Sequence, residues 1–229
     1  FDAMRLNLHL SPSTGALPFN HVHRLIGTFH KWVGPDNLLH DGPSLYSFGW
    51  LKGARAQNGA LHFPEGARWR LTFYDAEAAK SALRGILSDP SVCAGMHVLE
   101  ARQQTTPSFS GTHRFKVDSP VVVRKRREDG SRAYLTYEDA AADARMTRTL
   151  RFKMKIAGLD ASHHDVTVAF DRSYEGARTK LTTIEKDGHA IKHKGSICPV
   201  IVSGTPKAVQ FAWTVGIGEL TGSGFGALQ

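Results

Sequence analysis

The sequence predicts an α+β protein made of two tandem ferredoxin-like (RRM-like) domains, each with the element order βαββαβ. The first observation is that apolar residues of the first half switch between strand spacing and helix spacing in that order. The second is that a similar succession follows a polar stretch at residues 103–110, the expected linker. The third is the length of 229 residues, which accommodates two domains of about 110 residues each. We expect these domains at residues 4–104 and 111–229.

The first strand and the first helix open this pattern. Met4–Leu10 alternates apolar and polar residues, which is typical of a strand with one buried face. Residues 19–33 carry apolar side chains at helical spacing, with Asn20 as the expected N-cap. Gly34 and Pro35 are expected to end this helix.

The remaining elements follow from the same periodicities. The first half predicts strands at residues 45–51, 69–74 and 97–100, and a helix from its N-cap Asp75 to about Ser88 with a buried stripe of Ala79, Leu83, Ile86 and Leu87. The second half predicts strands at residues 115–123, 166–170 and 225–228, helices at residues 139–155 and 206–214, and a hairpin of residues 179–185 and 189–202 that turns at Asp187 and Gly188. Pro120 indicates an edge or a bulge in its strand, and Pro206 suits a first helical turn.

The charge composition of the chain indicates what kind of partner it binds. The formal net charge is +8, the isoelectric point is about 9.7 and the hydrophobic content is 41%. Such a basic excess indicates a polyanion, nucleic acid first, although a merely soluble basic protein has the same signature. Two cysteines without a framework pattern, no apolar run of 18 residues and no secretory signal predict a cytoplasmic protein without a membrane segment. Met4 is the expected natural start.

A glycine-rich segment at residues 216–226 holds two Gly-hydrophobic-Gly groups, residues 216–218 and 224–226. Glycine allows close approach to the backbone, and successive N–H groups can converge on an anion such as phosphate. The segment lacks the Gly-Lys-Ser/Thr ending of a P-loop, and its spacing differs from that of dinucleotide-binding motifs. It therefore indicates an anion site of another kind.

Three motifs together resemble a known family, and they span nearly the whole chain. Residues 4–8 with 17–21 resemble its first strand and helix entry, residues 24–30 with 39–43 resemble its first helix and the following loop, and residues 216–226 resemble its glycine-rich loop. The family is the RAMP superfamily of CRISPR-associated RNA-binding proteins, and in particular its endoribonucleases, which cut precursor CRISPR RNA within each repeat. The resemblance implies this activity and a tandem ferredoxin-like fold.

The histidines suit RNA cleavage without a metal. The 2′-OH of RNA is the nucleophile, and histidine, with a pKa of about 6.5, serves as base for that proton or as acid for the leaving 5′-oxygen. By resemblance, His40 falls on the family's general base or acid, and His30 falls where some members carry tyrosine or a second histidine. We expect these two as the acid/base pair, in either order. Where some members have a stabilising lysine this chain has Ser44, so Lys52 is the leading candidate for that role, with Lys31 and Arg24 as alternatives.

Basic clusters of the second half predict a surface that follows phosphates. The expected RNA contacts are Arg24, Lys31, Arg124, Lys125, Arg126, Arg151, Lys153, Lys155, Lys192, Lys194, Gly216, Gly218, Gly224 and Gly226. No metal-ligand spacing and no carboxylate constellation is present in the sequence, so no metal or cofactor is expected.

The expected partners are precursor and mature CRISPR repeat RNA, and possible further partners are other subunits of a CRISPR effector complex. A monomer and a homodimer are both open. Two alternatives to the nuclease remain. The first is a catalytically inert RAMP subunit that binds guide RNA. The second is a metabolic ferredoxin-like enzyme that binds a small anion at the glycine segment, against which the basic clusters argue.

Overall fold

The computed structural model of the protein describes residues 1–34 and 42–229, without the side chain of Lys186. The strands are β1 Met4–Leu10, β2 Tyr46–Phe48, β3 Arg55–Gln57, β4 Ala60–His62, β5 Ala67–Phe73, β6 Val98–Gln104, β7 Thr112–Phe115, β8 Val123–Arg126, β9 Arg132–Leu135, β10 Thr167–Phe170, β11 Arg178–Lys186, β12 His189–Ile197 and β13 Val200–Ser203. The helices are α1 Val22–Val33, α2 Ala76–Ser88, α3 Ala141–Ile156 and α4 Pro206–Val215.

The first ferredoxin-like unit is a four-stranded antiparallel sheet in the order β2-β5-β1-β6, with α1 and α2 packed on one face. The alternation along β1 decides which face is covered. Leu6 and Leu8 are buried in the same apolar core as Phe29 of α1. Arg5 and Asn7, which alternate with them, point to the other face and line a groove there. The sheet therefore has one apolar face under helices and one polar face.

The second ferredoxin-like unit has the sheet order β10-β13-β7, and its core contains apolar side chains of α3 and α4. A bridge between Val117 and Leu228 stands where a fourth strand is expected, so the predicted strand at residues 225–228 is reduced to that bridge. Two hairpins, β8-β9 and β11-β12, extend this unit. The predicted fold class of two tandem ferredoxin-like units is confirmed.

Several predicted boundaries are wrong for identifiable reasons. The helix predicted from residue 19 begins at Val22, and His21 rather than Asn20 occupies the N-cap position. Strand 115–123 is interrupted, because β7 ends at Phe115 and β8 begins at Val123, with Pro120 between them. The run 189–202 divides into β12 and β13 at Pro199, which has no N–H for a strand ladder.

Further differences concern the first unit. Leu87, predicted to be buried in α2, is 85% exposed, while Asp75 caps this helix as expected by accepting a hydrogen bond from the Glu77 amide. The last strand of this unit continues to Gln104, into the stretch that was expected to be linker. The β3-β4 hairpin was not predicted, although it turns at Asn58 and Gly59, which both have positive φ as a two-residue hairpin turn requires.

Arg5 joins the two units through a buried guanidinium. Its Nε donates to Thr72 Oγ1 at 2.9 Å, and its Nη2 donates to the carbonyl oxygens of Trp213 at 3.1 Å and Leu228 at 2.8 Å. The guanidinium also lies 3.8 Å from the centre of the Trp213 ring. Burial lowers the pKa of Arg5, because the charged form loses its hydration. The polar face of the first sheet is thereby fixed to the end of α4.

Candidate nucleic-acid interface

A cleft of about 540 Å³ lies between α3 and the glycine-rich segment, which we call the glycine loop (residues 216–226). It is lined by residues 42–44 of the first unit, by Arg145, Arg148, Thr149, Phe152 and Lys153 of α3, and by residues 218–223 of the loop. We call this the loop cleft. Both units contribute to it.

The α3 wall of the loop cleft is one face of a helix. Arg145, Arg148, Thr149 and Phe152 have spacings of three, four and seven residues, which bring side chains to the same side. Arg148 is exposed, and Phe152 is 54% exposed. Arg145 donates through Nη1 to the Arg124 carbonyl oxygen at 3.1 Å, which fixes its position. The wall thus presents two cations and an aromatic ring. Arg145 and Phe152 were not predicted as site residues, although their helical spacing was a usable signal.

The glycine loop is folded onto itself. The Ile217 amide donates to the Gly226 carbonyl oxygen at 2.9 Å, and the Gly226 amide donates to Pro120 at 2.8 Å. Gly226 has φ +66°, and a Cβ there would lie 1.9 Å from the Ile217 carbonyl oxygen. The amides of Gly216 and Gly226 both serve the fold, since Gly216 donates to Ala212 at 2.9 Å. The predicted RNA contacts of Gly216 and Gly226 therefore have no support from these two amides.

The glycine loop is also pressed against the first unit. A Cβ on Gly222 would lie 2.1 Å from Ser44 Oγ and 2.7 Å from the Tyr46 hydroxyl oxygen. A Cβ on Gly224 would lie 2.8 Å from the Phe48 ring. Gly218 meets the second unit in the same way, with a prospective Cβ 2.5 Å from the Val122 carbonyl oxygen. The glycines of the loop allow two chain segments to approach closely.

Lys153, predicted to contact RNA, is buried beneath the loop with 4% exposure. Its Nζ donates to Thr221 Oγ1 at 2.7 Å and to the Val215 carbonyl oxygen at 3.3 Å, both neutral acceptors. Burial lowers the pKa of its ammonium group to about 7. The amine of Lys153 is thus engaged between the glycine loop and α3, and its position gives the predicted RNA contact no support.

Other predicted contacts fall into two groups. Arg124 is paired with Glu219 of the loop, and Arg151 donates to the Val166 carbonyl oxygen at 2.9 Å, so both guanidinium groups have structural partners. The side chains that remain exposed are Arg24, Lys125, Arg126, Lys155, Lys192 and Lys194. This second group can contact a phosphate backbone without breaking an interaction of the fold.

Of the two histidines predicted to be catalytic, the structure describes the position of only one. His40 lies outside the described residues; Gly42, two residues later in the sequence, lines the loop cleft. His30 lies half-buried in the last turn of α1, beside Phe29, whose ring stacks on Tyr46 at 4.8 Å. Helix α1 also contacts the 3-10 turn at residues 221–223 of the loop. His30 is thus on a helix that touches the glycine loop, but it is not among the described residues that line the cleft.

The three lysine and arginine candidates for charge stabilisation are dispersed. Lys31 pairs with Asp89 at 3.0 Å and donates to Ser91, on the side of α2. Lys52 lies 3.7 Å from Asp118 on the polar face of the first sheet. Since α1 covers the other face, the structure does not bring Lys52 to His30, and the predicted catalytic role of Lys52 has no support from its position. Arg24 is exposed on α1.

A second groove, of about 680 Å³, lies on the polar face of the first sheet. We call it the sheet groove; its basic residues are Arg5, His9, Lys52, Arg68, Arg70 and Arg102. Asp118 enters it from the second unit, with 2% exposure, and accepts from Arg70 at 3.1 Å. Positive charge exceeds negative charge among the lining residues, so this groove also suits an anionic chain.

Two observations concern the described part of the chain as a whole. It contains no group of three or more histidine, cysteine or acidic side chains placed to hold a metal ion. No helix in residues 1–34 or 42–229 is long and apolar enough to cross a bilayer.

Comparisons with known proteins agree with this architecture. A solved Cas6-related protein from Pyrococcus furiosus has 17% identity and a TM-score of 0.85, over 100% of this chain and 98% of that one. A RAMP protein described as binding different RNA substrates has 18% identity and a TM-score of 0.82, over 99% and 98%. Thermus thermophilus Cse3, bound to an RNA that represents a pre-cleavage complex, has 15% identity and a TM-score of 0.52, over 100% and 98%.

Among curated proteins no sequence matches this chain. The model of one family does match, over residues 103–229, which is more than half of the chain. That family is described as CRISPR associated protein Cas6, C-terminal. The matched region contains α3, both basic hairpins and the glycine loop. The chain therefore belongs to the Cas6 family of CRISPR-associated proteins.

Proposed function

We propose that this Cas6-family chain is a metal-independent endoribonuclease that cuts CRISPR repeat RNA and releases guide RNA. The observation that carries the proposal is the loop cleft, which is cationic and is built by both units. One of its lining residues, Gly42, follows His40 by two residues in the sequence. The RNA complexes known for structural neighbours, such as Cse3 with its pre-cleavage RNA, support an RNA ligand. We retain the domains at residues 4–104 and 111–229 as part of this proposal.

The proposed chemistry uses the 2′-OH next to the scissile phosphate as nucleophile. His40 and His30 share the two proton transfers: one takes the 2′-OH proton, and the other protonates the leaving 5′-oxygen. Each positioned acid or base contributes about 10²- to 10⁴-fold to the rate. The P–O bond to the 5′-oxygen breaks as the 2′-oxygen bonds to phosphorus, so the products are a 2′,3′-cyclic phosphate and a 5′-OH.

The charge on the phosphorane-like transition state needs a cation or an N–H donor. Lys31 and Lys52 are poor choices, since each faces an aspartate away from the loop cleft. Arg148 is the better candidate because it is exposed on the wall of that cleft. We assign Arg148 the role of binding the phosphates at the cleft. The sheet groove would hold another part of the same RNA.

The second candidate is an inert guide-RNA-binding subunit. The observation that favours it is the position of His30, which is half-buried and not among the described residues lining the cleft. The two functions share the RNA ligand and differ in catalysis. A cleavage assay therefore separates them.

The test uses the purified chain with the repeat RNA of its own CRISPR array, in buffer with EDTA. We expect a single cut, lost when the scissile ribose is 2′-deoxy although binding persists. His40→Ala should lose at least about 10²-fold in rate, and His30→Ala should lose a comparable factor. Binding without cutting by the native chain would establish the inert alternative. Unimpaired cutting by His40→Ala would remove that residue from the mechanism.

A further inference from the structure

An exposed phenyl ring stands between cations on the wall of the loop cleft. Phe152 is 54% exposed, and Arg148 and Arg145 precede it by one and two helical turns on the same face of α3. A single exposed apolar residue is normal for a protein surface and is not a site by itself. The position of Phe152 is what matters, because the ring faces a cleft lined with arginines.

The charge of the loop cleft indicates which kind of molecule covers this ring. Among the described residues that line the cleft, the acidic one is Glu219, and it is paired with Arg124. Arg145 and Arg148 therefore give the cleft a positive charge. An apolar protein partner would have to cover those two guanidinium groups as well. A nucleotide matches both features, since its base has an apolar face and its phosphate is an anion.

The turn of α3 that carries the Phe152 ring is also held in place. The two residues that follow Phe152, Lys153 and Met154, are buried, and the Lys153 amine ties this turn of α3 to Thr221 of the glycine loop. A ring on a backbone that is held in place loses little conformational freedom when a ligand stacks on it. Such preorganisation favours binding.

We propose that Phe152 is a nucleobase-stacking residue: one base of the bound RNA stacks on its ring while Arg148 binds an adjoining phosphate. The inference rests on the proposed RNA ligand and adds a base subsite to the loop cleft. Stacking accepts every base, because each has a π face. The subsite therefore positions the RNA strand without reading its sequence.

The test compares equilibrium RNA binding by Phe152→Ala, Phe152→Trp and a matched control, Ile156→Ala. Ile156 is 53% exposed one turn further along α3 and is not among the described residues that line the cleft. The probe is fluorescently labelled repeat RNA with 2′-deoxyribose at the mapped scissile position, or unmodified RNA if the native chain does not cut. Phe152→Ala should weaken binding by about 5- to 150-fold. Phe152→Trp should bind like the native chain, and Ile156→Ala should change Kd less than about 2-fold.

A scan of abasic sites through the repeat identifies the stacked base. At one position, removal of the base should weaken binding to the native chain but have no effect on Phe152→Ala. Native affinity in Phe152→Ala, or an equal loss in Ile156→Ala, would refute the subsite, and the latter would indicate a general apolar patch that suits a protein partner. If the native chain cuts RNA while Phe152→Ala binds normally, only this subsite fails. If the native chain binds no repeat RNA, the proposed function fails and the subsite with it.

Discussion

The buried amine of Lys153 makes the stability of the protein depend on pH in a specific way. Its pKa is about 7 in the folded chain against an ordinary value of 10.5, because burial penalises the ammonium form. Between these values the unfolded chain binds more protons, so the free energy of unfolding rises with pH. The full difference corresponds to about 5 kcal/mol. Between pH 6 and pH 9 the expected rise is about 3 kcal/mol.

Lys153→Met removes this titration and keeps a side chain of similar length. The assay is urea unfolding of both proteins at pH 6 and pH 9. From pH 6 to pH 9, the free energy of unfolding of the native chain should rise by about 3 kcal/mol relative to that of Lys153→Met. The groups that the two proteins share contribute equally to both and cancel in this comparison.

The absolute effect of Lys153→Met is less informative than its pH dependence. The substitution stabilises the fold by removing a desolvated charge. It destabilises the fold by leaving Thr221 and Val215 without their hydrogen-bond donor, so the two contributions oppose each other. Lys155→Met, at an exposed position of the same helix, is the control for removal of a lysine from α3. A constant difference between native and Lys153→Met proteins across this pH range would refute the account of a buried lysine that loses its proton.

Three further predictions concern packing and charge. Gly226→Ala should destabilise the fold by at least about 2 kcal/mol in thermal unfolding, since its Cβ would lie 1.9 Å from a backbone oxygen at φ +66°. Arg148→Gln should weaken RNA binding and lower the slope of log K against log salt by about 0.7–0.9, because one phosphate contact is lost. Arg5→Met should cost about 2–3 kcal/mol in urea unfolding, because two carbonyl oxygens lose a charged donor.

Each of these predictions has a matched control. Gly188→Ala, at φ +76° with open space around it, should cost only about 1–2 kcal/mol of backbone strain. Lys80→Gln, an exposed change on α2, should leave the salt slope unchanged. Arg102→Met, at an exposed position of the sheet groove, should change stability by less than about 0.5 kcal/mol. Equal effects in a variant and its control would contradict the corresponding explanation.

Local patterns in the sequence were sufficient for much of the fold. The alternation of β1 and the Asp75 cap of α2 are local properties, and both predictions agree with the structure. The β3-β4 hairpin was overlooked because its strands are short and half-exposed, although Asn58 and Gly59 are a strong turn signal. Burial of Leu87 was predicted from periodicity alone, but its side chain is 85% exposed.

The site was harder to predict because its residues meet through tertiary packing. Lys153 occupies a position of the buried stripe of α3, with Met146 and Leu150, yet a lysine in a basic cluster suggests a surface. What buries it is the glycine loop, more than 60 residues later in the chain. The same packing creates the loop cleft beside Phe152. Local spacing could place Arg145, Arg148 and Phe152 on one helix face, but it could not predict the burial of Lys153 or the cleft.

The dependence of the loop cleft on residues 216–226 has a consequence for synthesis of the protein. During translation, N-terminal units generally fold first. The segment at residues 42–44, which belongs to the first unit, would then be in place before the loop has been made. Until the loop emerges from the ribosome, Lys153 has no acceptor at Thr221 and Gly222 does not cover Ser44. A nascent chain that has been synthesised only as far as residue 215 therefore has no assembled loop cleft.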